Sequence, residues 1–154
     1  MENIKKKILV TCPPMIQAKE HFLPLFDKLG WEAVIPEFNQ IVSEERLCEL
    51  VKDVDGWIIG DDETTYNVVK SGKMGKLKGA VKWGVGTDNI NFEAFEEFQI
   101  PITNTPGMFN DEVADIAIGY LLSLTRNINS VDEEVRRGNW YNRMNLMTKG
   151  CGPF

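Results

Sequence analysis

The chain has 154 residues, 43% hydrophobic and 26% charged, the proportions of one globular domain with enough apolar content for a real core. A formal net charge of −6 argues against nucleic acid, whose phosphate backbone demands basic patches on its partner. No apolar stretch approaches the roughly 18 residues that span a bilayer, and the first residues lack the apolar core and cleavage site of a signal peptide, so no membrane partner is expected.

In chain order, the basic run Lys5-Lys6-Lys7 reads as a solvated lead-in to a first strand. Short, nearly continuous apolar runs follow at Ile8-Leu9-Val10, Ala33-Val34-Ile35, Trp57-Ile58-Ile59, Ala80 to Trp83 and Ile100 to Thr103, as expected of strands covered on both faces. Between them the pattern predicts helices near 16–29, 43–53, 64–71 and 91–99. Ser43 and Asn91 are suited to cap the second and fourth of these, and Gly30 to stop the first. Strand alternating with helix implies a parallel, doubly wound sheet, and five strands at this spacing suggest a flavodoxin-like α/β layout over residues 1–108. Pro101, at the start of the last run, suits an edge strand.

The rest of the chain reads differently. A long helix is predicted from Asn110 to about Arg126 and a second from about Ser130 to Arg137, together a helical arm over 109–141; the tail, 142–154, has no periodicity. In the long helix Val113, Ala114, Ile116, Ala117, Ile118, Tyr120, Leu121, Leu122 and Leu124 cover roughly two thirds of the circumference. One sheet cannot cover so wide a surface, so a homodimer through helix 110–126 is expected.

Cys12, Cys48 and Cys151 are odd in number and widely spaced, with neither a disulfide framework nor a metal-ligand pattern, which suits a reducing, cytoplasmic setting. The single histidine, His21, lies beside Glu20 on the first helix and reads as a surface residue rather than a catalytic base. Asp61-Asp62-Glu63 follows the third strand. A phospho-accepting receiver would need an acidic pair after the first strand and a lysine after the fifth; Thr11-Cys12 and Pro106-Gly107 stand there instead. Cys12-Pro13-Pro14 is no flavin-phosphate loop either. The acidic trio is expected to cap the following helix, whose N-terminal dipole favours negative charge.

The most informative segment is Trp83-Gly84-Val85-Gly86-Thr87-Asp88-Asn89, at a strand end before a helix. It begins like a dinucleotide loop, but Asn89 replaces the third glycine and the loop follows the fourth strand rather than the first. On the residues alone it is either a tight structural turn or a place where glycines let a small anion approach backbone N–H groups. Thr103-Asn104-Thr105-Pro106-Gly107 ends the next strand, and in a doubly wound sheet ligands bind outside the carboxyl ends of strands. Asn104 either points its amide at the ligand of the Val85 and Gly86 backbone or satisfies its own turn.

These blocks carry a family resemblance. The stretch from Lys76 to Ile128 closely resembles the central part of D-isomer-specific 2-hydroxyacid dehydrogenases, the group that includes phosphoglycerate dehydrogenase. The G-V-G-T-D-N-I block, the I-P-I-T-N-T-P-G block and the V-A-D helix stand in the family's order and spacing, and VDEEVRRGNW resembles the family's next helix. The resemblance implies that Val85, Gly86 and Asn104 hold the carboxylate of a 2-hydroxy or 2-keto acid, with Thr87 and Lys82 as weaker candidates. Lys82 shares a strand face with Gly84, and a solvated surface lysine is the expected reading. Asp115 stands where the family usually has Glu. The resemblance also implies that the nucleotide domain, with its G-x-G-x-x-G loop and the catalytic Arg, Glu and His, begins just after the region matching Trp140. No catalytic residue, no NAD site and no metal site are therefore expected in this chain, although NAD serves the intact family. The chain is expected to be the substrate-binding portion of such a dehydrogenase, truncated and inactive alone. A stand-alone carboxylate-binding or protein-interaction domain is the alternative, and complementation by a separate nucleotide-domain chain a third.

Overall fold

A computed structural model of the chain describes residues 5–139; the tail 142–154, with Cys151, lies outside the described residues. The elements run β1 (Lys6–Val10), α1 (Pro13–Gln17), α2 (Lys19–Leu29), β2 (Trp31–Val34), α3 (Glu44–Leu50) with a 3-10 turn (Val51–Asp53), β3 (Gly56–Ile59), α4 (Tyr66–Met74), β4 (Gly79–Lys82), α5 (Phe92–Glu97), β5 (Ile102–Thr103), α6 (Asn110–Thr125) and α7 (Ile128–Arg136). By Cα packing the chain divides into two compact units, Met1–Met108 and Phe109–Phe154.

The first unit is a five-stranded, wholly parallel sheet in the order β2-β1-β3-β4-β5. That is the flavodoxin-like order, with right-handed crossovers expected to place helices on both faces. Leu9, Trp57, Ile59 and Ala80 point to one face and are buried with Leu47, Val51, Val68, Val69 and Phe95 from the helices. Ile8 and Val10 point to the other, against Met15, Phe22 and Phe26. Toward β4 and β5 this second face is open: Val81 is exposed, and Ile58, Val81, Pro101 and Ile102 help line an apolar hollow of about 380 Å³.

Several boundaries follow from local chemistry. The Ser43 hydroxyl accepts from Arg46 N, the Asn91 carboxamide oxygen accepts from Ala94 N, and Gly30 stops α2 in the left-handed conformation at φ +68°. The expected helix 16–29 is in fact two, because the chain turns at Ala18, whose amide donates to the Pro14 and Met15 carbonyls. The run 100–103 yields only a two-residue edge strand: Pro101 has no N–H to donate and contributes its carbonyl alone, accepting from Ala80 N at 2.9 Å. The acidic trio does not cap α4. Thr65 does, its hydroxyl accepting from Val68 N, and the first turn of α4 holds no acidic residue.

In the second unit, α6 has no buried residue: Ile116, Ile118, Leu121, Leu122 and Leu124 are all exposed, and Asp115 lies on its surface. The second helix begins at Ile128 rather than Ser130, after Asn127 in the left-handed conformation at φ 51°. Ion pairs Arg136–Asp132 and Arg137–Glu133, both four residues apart, brace its outer face.

Candidate functional site

The carboxyl ends of β1, β3, β4 and β5 bring Thr11-Cys12, Gly60-Asp61-Asp62, Lys82 to Asn89 and Asn104 to one edge of the sheet. The approach of β3 to β1 is close. A Cβ on Gly60 would stand 2.5 Å from the Thr11 carbonyl oxygen and 2.8 Å from Cys12 Cα, so only glycine fits. Its carbonyl is thereby turned toward β4.

Two side chains take that carbonyl. The Lys82 ammonium donates to it at 2.5 Å and lies 3.4 Å from Asp61 Oδ1. Asn89 donates to it at 3.2 Å and to the Asp62 carbonyl at 2.6 Å. The Asn89 carbonyl in turn accepts from Thr64 N and from the Thr64 hydroxyl, which itself accepts from Asn91 N. The loop after β3 is thus stitched to the loop after β4. Lys82 is only 6% exposed, so the expected solvated lysine is corrected: it sits in register with Ile59 on the helix-covered face, and the Gly60 loop closes over its end.

The Gly84-Val85-Gly86 loop stands open. Gly84 has φ +131°, a conformation that favours glycine, and a Cβ on Gly86 would meet nothing within 4 Å. Gly84 N donates to the Thr105 hydroxyl and Thr105 N to the Gly84 carbonyl, which ties the loop to the segment after β5. No acceptor among the described residues takes the amides of Val85, Gly86 or Thr87. Asn104 is half-buried, and its Nδ2 donates to the Val85 carbonyl at 2.9 Å, so it satisfies the neighbouring loop rather than its own turn. The Thr87 carbonyl accepts from Ile90 N in a tight turn. Such an arrangement can present successive N–H groups to an anion.

It does not fit a dinucleotide. The Asn89 side chain fills the place of the third glycine with bonds to Gly60 and Asp62, and the first turn of α5 is already capped by Asn91. His21 is exposed on α2 and takes no part in the hydrogen bonds described above. Among the described residues no cluster of His, Cys, Asp and Glu could hold a metal ion, and no helix is long and apolar enough to cross a membrane.

Two buried groups escaped the sequence. Asp62 is wholly buried; its Oδ1 accepts from Val42 N at 2.7 Å, while Oδ2 accepts no hydrogen bond of good geometry among the described residues, and burial pushes its pKa up. Trp57 Nε1 donates to the Thr11 hydroxyl at 2.9 Å inside the sheet edge. Burial also raises the Cys12 thiol. An alternating pattern signals which face a residue takes, but nothing in it signals that a loop will roof the strand end.

Comparison with known proteins gives this geometry a setting. The family described as D-isomer specific 2-hydroxyacid dehydrogenase, catalytic domain, matches residues 8–148. D-3-phosphoglycerate dehydrogenase of Methanocaldococcus jannaschii is 32% identical over 135 residues, which are 87% of this chain and 24% of that protein. A glyoxylate reductase of Thermococcus onnurineus is 31% identical over 91% of this chain and 40% of its own length. Among solved structures, the NAD+-bound 3-phosphoglycerate dehydrogenase of Entamoeba histolytica superposes with a TM-score of 0.67 at 31% identity, covering 79% of this chain and 40% of that one. D-2-hydroxyisocaproate dehydrogenase, at 20% identity, shares the fold with a TM-score of 0.68 over 90% of this chain. The chain spans less than half the length of each of these relatives.

Proposed function

The chain belongs to the D-isomer specific 2-hydroxyacid dehydrogenase family, and from that premise we propose that its strand-end loops hold the carboxylate of a small 2-hydroxy or 2-keto acid. The observation that carries this reading is the run of three uncommitted amides at Val85, Gly86 and Thr87, beside open space at Gly86. Val85 and Gly86 N–H groups receive the carboxylate; Thr87 extends the cradle; Asn104 keeps the loop in shape. Lys82 acts from beneath, holding Gly60 and Asp61 in place rather than touching the acid.

Hydride exchange with a nicotinamide needs more: a cation on the reacting carbonyl and a proton donor near neutral pKa. As the resemblance implies, relatives supply these, with the NAD site, from a nucleotide domain. In this reading residues 1–108 are the substrate-binding domain and the arm 109–141 is the passage toward the nucleotide domain. The isolated chain then binds the acid weakly and does not turn it over. The free thiols Cys12 and Cys48 suit a reducing, cytoplasmic setting. The exposed apolar surface of α6 supports a second property, pairing of two copies through helix 110–126.

The test is an amide-resolved NMR titration of the purified chain with glycolate. The expected result is a dissociation constant in the millimolar range, roughly −4 kcal/mol, with shifts centred on Val85, Gly86 and Asn104. Shifts centred on Lys5–Lys7 would show charge attraction alone and sink the reading.

A further inference from the structure

The charge around the loop bears on which acid it accepts, an inference that rests on the reading that the loop amides hold the 2-carboxylate. Beside Gly86 lies a hollow of about 290 Å³ lined by Asp61, Glu63, Lys82, Gly86, Asp88 and Asn89. Half of these are carboxylates. The lone cation among them is committed: the Lys82 ammonium donates to the Gly60 carbonyl and lies 3.4 Å from Asp61. The Asn89 amide is likewise spent, on the Gly60 and Asp62 carbonyls. The hollow therefore offers a net negative field and no uncommitted cation.

We propose that the site takes a 2-hydroxy or 2-oxo acid with a single negative charge and a hydrogen-bond-donating tail, such as a hydroxyl, and excludes acids with a second anionic group such as a phosphate monoester. The 2-carboxylate meets N–H groups that neutralise it. A hydroxyl tail donates to Asp61, Glu63 or Asp88. A phosphate on the same tail meets three carboxylates against one ammonium that is already engaged. Each rim carboxylate is exposed and acts weakly through water, but charges of one sign around a concave wall add. A three-carbon acid is too short to carry its phosphate beyond a Debye length, about 8 Å at physiological salt, from a rim that shares Gly86 with the loop. The exclusion holds whichever way the tail points.

The test compares D-glycerate with 3-phospho-D-glycerate, the same acid without and with the second anion, by amide-resolved NMR titration of the purified chain at low ionic strength. Glycerate should move the Val85 and Gly86 amides and bind roughly tenfold more tightly than its phosphate ester, with the gap shrinking as salt is added. The double variant Glu63→Gln, Asp88→Asn should narrow the gap several-fold; neither side chain carries a hydrogen bond or ion pair among the described residues, so the fold has nothing to lose there. Equal or tighter binding of the phosphate ester at these amides overturns the charge rule and leaves the carboxylate reading standing. A gap that the double variant leaves unchanged also overturns it. If neither acid moves Val85 or Gly86, both fall together.

Discussion

Asn104 Nδ2 donates to the Val85 carbonyl across 2.9 Å, so the end of β5 is fastened to the peptide that carries the Gly86 amide. In a trans peptide C=O and N–H point in opposite directions. A donor that holds the Val85 oxygen therefore aims the Gly86 N–H away from β5 and into the open side of the loop.

Asn104→Ala should loosen that aim without unfolding the domain, since the side chain is only half-buried. One neutral hydrogen bond contributes about 1 kcal/mol, so glycolate binding should weaken roughly fivefold, with the chemical shifts of the sheet unchanged. An Asn104→Ala chain that binds glycolate as well as the parent would remove Asn104 from the site.

The two side chains on the Gly60 carbonyl are not equal. Lys82→Met removes one of two donors to that oxygen, leaves Asn89 in place, and relieves the desolvation of a buried cation; its cost should be at most about 1 kcal/mol. Asn89→Ala leaves the Asp62 carbonyl without its 2.6 Å donor and unstitches the loops, at about 1–3 kcal/mol. Urea unfolding of both variants checks the order. A Lys82→Met chain less stable than Asn89→Ala would show that the ion, not the amide, holds the sheet edge.

The buried Asp62 makes stability depend on pH in an unusual direction. Its folded pKa lies above the ordinary 3.8 because burial disfavours the charge. A raised acid contributes stability that is fully present below the unfolded value and is lost as pH rises through the folded one. Asp62 should therefore withdraw stability as pH rises from 4, by at most about 1.4 kcal/mol per pH unit, against ion-paired carboxylates such as Asp53 whose lowered pKa acts in the opposite sense, and Asp62→Asn should remove that component. Unfolding curves at several pH values decide it. Carboxyl NMR should also separate this residue from Asp53, whose pKa Lys76 and Lys7 pull down to about 2; a titration placing Asp62 at or below 3.8 refutes the account.

The strand order, the caps at Ser43 and Asn91 and the stop at Gly30 were legible because they depend on short-range patterns: apolar runs, capping side chains and a positive-φ glycine. The positions of the Gly84 loop and Asn104 at strand ends follow from the same alternation. Lys82, Asn89 and Asp62 were not legible. Their partners lie 22, 29 and 20 residues away in loops, and no periodicity carries information about which loop will fold over a strand end. Asn89 was visible only as a missing glycine, and the acidic trio only as charge. The structure divides that trio, with Asp62 inside and Asp61 paired outside.

Helix α6 should drive association. Ile118 and Leu122 are each at least half exposed, and burying one such side chain is worth about 1.5–3 kcal/mol. The chain at tens of micromolar is expected to sediment as a dimer or larger, and Ile118→Glu, Leu122→Glu as a monomer. A monodisperse wild-type monomer would rule the pairing out.

The strand order also dictates when the domain can form. β1, near the start of the chain, lies inside the sheet between β2 and β3, in register from Lys6 to Trp31 on one side and from Ile8 to Gly56 on the other. As the polypeptide leaves the ribosome, Ile8 and Val10 find early shelter under Met15, Phe22 and Phe26. Leu9 is covered only in stages, as Leu47, Val51, Trp57, Ile59 and then Phe95 arrive. A nascent chain must therefore carry β1 with only β2 beside it until β3 is made, and non-local parallel pairing is intrinsically slow. That interval, rather than the finished fold, is when the protein is most exposed to aggregation and to capture by chaperones.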